Sequence, residues 1–273
     1  AAKLPRCVPP GTEVGRVSGA MAEVLGLPRD VAIVAGAHDQ CANAVGAGVL
    51  EEGNAMLGMG TYFSIVPVFG RRTDPDVMRT HGLNTEHHAA PGRYVCFIYN
   101  HGGSMLKWYR DTFAARERDR SGVYDALLQE IPAGPSGVLV LPPTRGAILK
   151  GILEGVVFYL RECLEALPET GLRIDAFRAV GGGSRSDQWL QIVADILGRP
   201  LTRTRYPDAG TLGGAILAGS GTGCFASPEE GAAAMVALED TIAPRPEMQR
   251  AYDAPYAAYR RLWPTMQPHL RAL

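Results

Sequence analysis

Twice in this chain an apolar run stops at glycine and a helix takes over, and this repeated plan constrains the fold more than any other feature. The first instance is "VAIVAGAHDQCANAVGAG" at residues 31–48, the second "RIDAFRAVGGGSRSDQWLQIVADILGRPL" at 173–201. A short continuous apolar run bounded by glycine reads as a strand buried on both faces, and alternation of such strands with helices predicts an α/β class. Residues 31–35 and 177–180 are the strands of this plan. Residues 41–49, rich in alanine, form the first helix, and Ser184 or Ser186 caps the second.

The remaining segments fill in the same class. "NAMLGMGTYFSIVPVF" (54–69) predicts two strands broken at Gly58 and Gly60, with a turn open to close approach by a ligand. "RYVCFIYN" (93–100) predicts another strand, and "GGSMLKWYRDTFAA" (102–115) an amphipathic helix with Met105, Leu106, Trp108, Tyr109 and Phe113 as its apolar residues. "GVLVLPP" (137–143) reads as a buried strand closed by prolines. Residues 147–167 hold helical periodicity for about six turns and read as the longest helix. "AGTLGGAILAGSGTG" (209–223) is a helix of small residues that must pack very closely, and 246–270, with Tyr252, Tyr256, Tyr259, Leu262 and Trp263, reads as a closing surface helix.

Charge narrows the partners. With 27 Lys and Arg against 28 Asp and Glu, the chain lacks the basic footprint of a nucleic-acid or anionic-membrane binder, so small molecules or proteins are the expected partners. Five cysteines without C-x-x-C spacing predict reduced thiols and neither a disulfide framework nor zinc. No apolar run approaches the ~18 residues of a membrane helix, and the default expectation is a cytoplasmic protein. The opening "AAKLPRCVPPGTEVG", with its prolines and Gly-Thr pair, reads as an inter-domain linker.

Three motifs carry candidate chemistry. Asp39 follows the first apolar run; at the carboxyl end of a sheet strand it would face the crevice where ligands bind, or it caps the helix that follows. His38 beside it reads as a structural or loop residue. In "LGMGTY" (57–62), Gly60 and Thr61 can offer backbone N–H groups and a hydroxyl to phosphate oxygens, or form an ordinary turn. In "AVGGGSRSDQW" (179–189) glycines between a strand and a helix N-terminus suit an anion or nucleotide, because free N–H groups and the helix dipole point at the ligand. Ser186 stands where a dinucleotide fingerprint needs its third glycine, which argues against a nicotinamide cofactor. "EHH" (86–88) and His101 lack a second cluster at ligand spacing and read as loop residues, so no metal ligand is assigned.

Taken in order, "CVPPGTEVG" (7–15), "VAGAHDQCANAVGAG" (34–48), "LGMGTYFSIVP" (57–67), "GGSMLKWYRD" (102–111), "ILKGILEGVVFYLRE" (148–162) and "VGGGSRSDQWLQIVADILGRPL" (180–201) with "GTLGGAILAG" after it resemble the FGGY carbohydrate kinases. A xylulokinase-like member is the leading subtype. The resemblance implies an actin-like ATPase, ribonuclease H-like domain with a mixed sheet flanked by helices. It makes residues 1–273 the second, C-terminal, nucleotide-binding domain and puts an N-terminal sugar-binding domain before it. It also implies a loop deletion near 142–144, because "GVLVLPPTRGAILKG" runs from strand to helix almost directly.

The implied activity is ATP-dependent phosphorylation of a sugar or polyol hydroxyl, with ATP and Mg²⁺ as cofactors. Carried over residue by residue, Asp39 is the catalytic base, Asp39 and Gln40 meet the substrate, and Gly60 and Thr61 hold the transferred phosphoryl group. Gly182 and Gly183 let the nucleotide lie against the chain, and Asp187 lies near the adenine. A domain lacking its companion half would be inactive alone, and a homodimer is compatible with the resemblance. The alternative is a non-catalytic actin-fold module that binds nucleotide or a partner.

Overall fold

The computed structural model describes residues 6–136 and 145–270. The chain enters through an antiparallel ribbon of β1 (Glu13–Arg16) and β2 (Ala32–Val34), which flank helix α1 (Gly19–Leu25). Helix α2 (Asp39–Gly46) leads into the hairpin of β3 (Gly53–Met59) and β4 (Tyr62–Phe69). After α3 (Pro75–Thr80), short strands β5 (Glu86–His87), β6 (Tyr94–Val95) and β7 (Ile98–His101) extend the sheet outward. Helices α4 (Gly103–Phe113), α5 (Val123–Gln129) and α6 (Arg145–Ala166) follow. The second half runs β8 (Ile174–Val180), α7 (Asp187–Leu197), β9 (Leu201–Thr204), α8 (Ala209–Gly221), α9 (Pro228–Met235), β10 (Leu238–Ile242) and α10 (Pro246–Leu270).

The main sheet is ordered β10-β9-β8-β3-β4, with β7 and β6 both pairing β4 and β5 beyond β6. Strands β3, β8 and β9 are parallel while β4 and β10 are antiparallel to their neighbours, so the sheet is mixed, as expected. Strand alternation divides the core in two. Ala55, Leu57, Phe63, Ile65 and Phe177 face a layer containing Leu149, Leu153 and Leu190 of α6 and α7, whereas Met56, Val66, Val68 and Val180 face Val45, Ile216 and Leu217 of α2 and α8.

The small residues of α8 meet α2 as closely as the sequence requires. A Cβ on Gly46 would lie 1.8 Å from the Ala209 carbonyl oxygen, and one on Gly213 would lie 1.8 Å from that of Ala42. Only glycine permits this crossing. Across the sheet, Lys150 is buried and donates to the carbonyls of Pro132, Ala133 and Gly134, while buried Glu154 accepts from Ser136. Burial lowers the lysine's pKa and raises the glutamate's.

Several expectations are corrected. The 31–35 run is not a buried sheet strand: β2 lies in the separate ribbon with β1, and Ile33 is exposed. The 93–100 strand divides, because β6 pairs with the far end of β4 and β7 with its start. Trp108 and Phe113 of α4 are half-exposed; Leu106 and Tyr109 carry its burial. The longest helix is α10, of 25 residues, not α6, of 22, and its Tyr252 and Tyr256 enter the core. The strand at 137–143 and the loop deletion near 142–144 lie outside the described residues.

Candidate functional site

Parallel pairing brings the carboxyl ends of β3, β8 and β9 to one edge of the sheet, and there the loops that follow them border a cleft of about 440 Å³. Crevices beyond the carboxyl ends of such strands are the usual place for ligands in α/β folds. Helix α2 contributes Gln40 and Asn43, the β3–β4 turn contributes Gly60, Thr61, Tyr62 and Ser64, and β8 ends in Val180 and Gly181. Pro207 and Asp208, with Gly210 and Thr211 of α8, complete the wall.

Two glycine turns nest in this cleft. Gly181 adopts φ 86°, and a Cβ there would lie 3.1 Å from the Met59 carbonyl carbon and 3.3 Å from the Gly60 nitrogen. Its N–H donates to the Pro207 carbonyl at 3.0 Å. The Gly60–Thr61 turn is held from behind by the start of α4, where Gly103 N–H donates to the Gly60 carbonyl at 2.9 Å and Ser104 N–H to that of Thr61 at 3.0 Å. Ser64 Oγ donates to Gln40 Oε1 at 3.1 Å, which ties α2 to β4 across the cleft floor.

Asp39 is the first residue of α2, beside Gln40 and outside the lining residues, with its side chain 78% exposed. Its Oδ1 accepts the Gln40 N–H at 2.7 Å and lies 3.2 Å from His38 Nδ1. His38 is the N-cap and stacks on Phe97 with ring centroids 5.1 Å apart. The carboxylate therefore helps to cap its helix and still faces solvent.

The remaining predicted residues continue the second glycine turn or flank it, outside the lining itself. Gly182 is exposed with open space where a Cβ would be, but a Cβ on Gly183 would meet the Met59 carbonyl oxygen at 2.8 Å, so its bare Cα serves packing against β3. Asp187 is outside the lining and pairs with Arg203 at 2.6 Å. Arg203 also grips Asp240 and donates to the Ser184 carbonyl at 2.9 Å, which anchors the glycine turn to β9. The hydrogen bond from Arg203 holds the Asp240 carboxyl below its ordinary pKa.

Sequence reasoning missed Asn43, Tyr62, Ser64, Asp208, Gly210 and Thr211. The signal in "PDAGTLGG" (207–214) is a helix start, while the glycines after it favour helix packing and a C-terminal cap over phosphate binding. Asp208 occupies the N-cap of α8 without a side-chain capping bond, which leaves the first-turn N–H groups uncapped where Asp208, Gly210 and Thr211 line the cleft. No lysine or arginine is among the lining residues.

Comparison with known proteins finds carbohydrate kinases. Residues 141–222 match the family model described as FGGY family of carbohydrate kinases, C-terminal domain. A xylulose kinase of Staphylococcus epidermidis is 26% identical over 275 residues, covering 92% of this chain and 54% of its own length. An L-fuculokinase of Escherichia coli O157:H7 is 28% identical over 248 residues, covering 83% of this chain and 51% of its own. The crystal structure of a xylulose kinase from Rhodospirillum rubrum superposes with a TM-score of 0.81 at 27% identity, over 98% of this chain and 58% of that one. The chain thus spans about half the length of the relatives it matches.

Proposed function

We infer that this chain, which belongs to the FGGY family of carbohydrate kinases through its C-terminal domain, supplies the catalytic base and the phosphate cradle for ATP-dependent phosphorylation of a sugar or polyol hydroxyl. The observation that carries the reading is an exposed carboxylate, Asp39, beside a cleft bordered by two glycine turns and an uncapped helix N-terminus.

Phosphoryl transfer asks little covalent chemistry of a protein; it needs positioning and charge neutralisation. Bound ATP with Mg²⁺ supplies the electrophilic γ-phosphoryl group. The amides of Gly60 and Thr61, the Thr61 hydroxyl and the free N–H groups at the start of α8 hold phosphate oxygens, since the helix dipole favours negative charge there. Gly182, open to solvent, leaves room for nucleotide along the second turn. Asp39 accepts the proton of the attacking hydroxyl through Oδ2, because Oδ1 is engaged with the Gln40 amide. Gln40, held by Ser64, orients the acceptor. Asp187, near the adenine in this reading, is held by Arg203 and steadies the nucleotide turn.

A cleft with Asp208 and without lysine or arginine on its walls does not neutralise a triphosphate by itself. Asp208 is the lining carboxylate that would hold a divalent cation, which would supply the missing positive charge. Further groups would come from the companion domain, which in this reading carries most of the sugar contacts and closes over the cleft to exclude water.

The test is Asp39→Ala in the full-length protein. Acceptor-dependent ADP release is expected to fall at least ~100-fold with ATP affinity unchanged. Retained turnover removes Asp39 from the reaction.

A further inference from the structure

We propose that the rings along β7 and the start of β4 form a stacking platform for the carbon skeleton of the phosphoryl acceptor, selecting a five- or six-carbon sugar over a three-carbon polyol. The proposal rests on the kinase reading above and assigns the acceptor class to the same site.

Strand alternation decides which way these rings point. Ile98 belongs to the core on the α6 face and Asn100 Nδ2 donates to the Val156 carbonyl of α6 at 2.9 Å, so Tyr99 and His101 face the α2 side. Phe97 packs against the α2–α8 core and is on that side too. The β4–β7 register sets Tyr99 opposite Ser64 and His101 opposite Tyr62, the two β4 residues that line the cleft. His38 stacks on Phe97 at 5.1 Å, Phe97 meets Tyr99 at 5.9 Å, and Tyr62 meets His101 at 4.9 Å. Two groups of rings therefore flank the Ser64–Gln40 hydrogen bond, next to Asp39.

These rings are kept in water where the rest of β4 is buried: Tyr62 is 55% exposed and Tyr99 44%. Burial, with a contribution from the Asp39 charge, raises the Tyr99 pKa, so the phenol stays a neutral donor beside the carboxylate. A ring face is electron-rich and attracts the C–H bonds of a sugar, whose carbons are polarised by their oxygens, while phenol and imidazole edges can bond its hydroxyls. Alternate residues on a strand are about 6.6 Å apart, so Tyr99 and His101 offer a span that a five- or six-carbon skeleton bridges. A glycerol-sized acceptor with its hydroxyl at Asp39 leaves most of that span uncovered.

The experiment is saturation-transfer NMR on the full-length protein, irradiating aromatic protons in the presence of D-xylulose, D-gluconate or glycerol, with acceptor kinetics in parallel. Transfer to the C–H protons of at least one of the two longer acceptors is expected, with none to glycerol. Tyr99→Leu should abolish it and raise the acceptor KM about tenfold at unchanged ATP KM, and Tyr99→Phe, which keeps the ring, should restore it. Equal transfer to glycerol, an unaltered KM in Tyr99→Leu, or a Phe variant as poor as Leu overturns the platform. So does a lowered Tm without any acceptor effect, the sign of rings covered by polypeptide. Because the NMR needs no turnover, ring transfer without acceptor-dependent ADP release would sink the kinase reading and leave the platform standing.

Discussion

Substituting Gly213 by alanine pits local helix propensity against a tertiary contact, and the structure says which wins. In an open helix interior the exchange stabilises by about 1 kcal/mol. At Gly213 the new Cβ would lie 1.8 Å from the Ala42 carbonyl oxygen and 2.7 Å from its carbon, against an ordinary contact of 3.4 Å or more. Both obstacles are backbone, so relief requires α8 to move away from α2 by on the order of 1.5 Å. A gap of that size forfeits much of the dispersion energy around Ala44, Val45, Ile216 and Leu217, all fully buried. Overpacking of this kind costs ~1–3 kcal/mol and the opened gap adds to it, so a net loss of ~2–4 kcal/mol is expected. Gly214, next in the same helix, has nothing within 4 Å of its Cβ position, and Gly214→Ala should stabilise by up to ~1 kcal/mol. Thermal melts and urea midpoints read both: at roughly 2–4 °C per kcal/mol, one variant melts well below the parent and the other slightly above it. If the two substitutions shift the midpoint in the same direction, the glycine-mediated crossing is not what joins these helices.

Two further outcomes follow from the electrostatics. Burial depresses the His88 pKa from 6.5 to about 4, below its unfolded value, so the unfolded state takes up the proton first. Stability is therefore full above pH 6.5 and declines toward pH 4, by at most about 3 kcal/mol, and His88→Gln should flatten that dependence in urea titrations run across the interval. Arg203→Met removes the grip on Asp187, Asp240 and the Ser184 carbonyl. It should destabilise by about 1–2 kcal/mol and weaken ATP binding measured by calorimetry, because the glycine turn loses its anchor to β9.

The amino-acid sequence alone determined the strand, glycine turn and helix of 174–197 with a serine cap at 184 or 186, of which the structure uses Ser186, together with the β3–β4 hairpin and the close packing of α8. Each of these depends on near neighbours: alternation, a capping hydroxyl, a run of small side chains. Tertiary structure alone decided that α2 is the partner of α8, that β2 stands outside the main sheet, and that Asp187 is claimed by Arg203. It also decided that Tyr62, Ser64, Asp208 and Thr211 share a wall with Gln40. An apolar run reports a strand but neither whether the main sheet shields it nor which strand it will pair with, as β2 demonstrates. The walls of the cleft come from strands and helices more than a hundred residues apart, brought together by sheet pairing and a helix crossing, and periodicity within one segment carries no record of either.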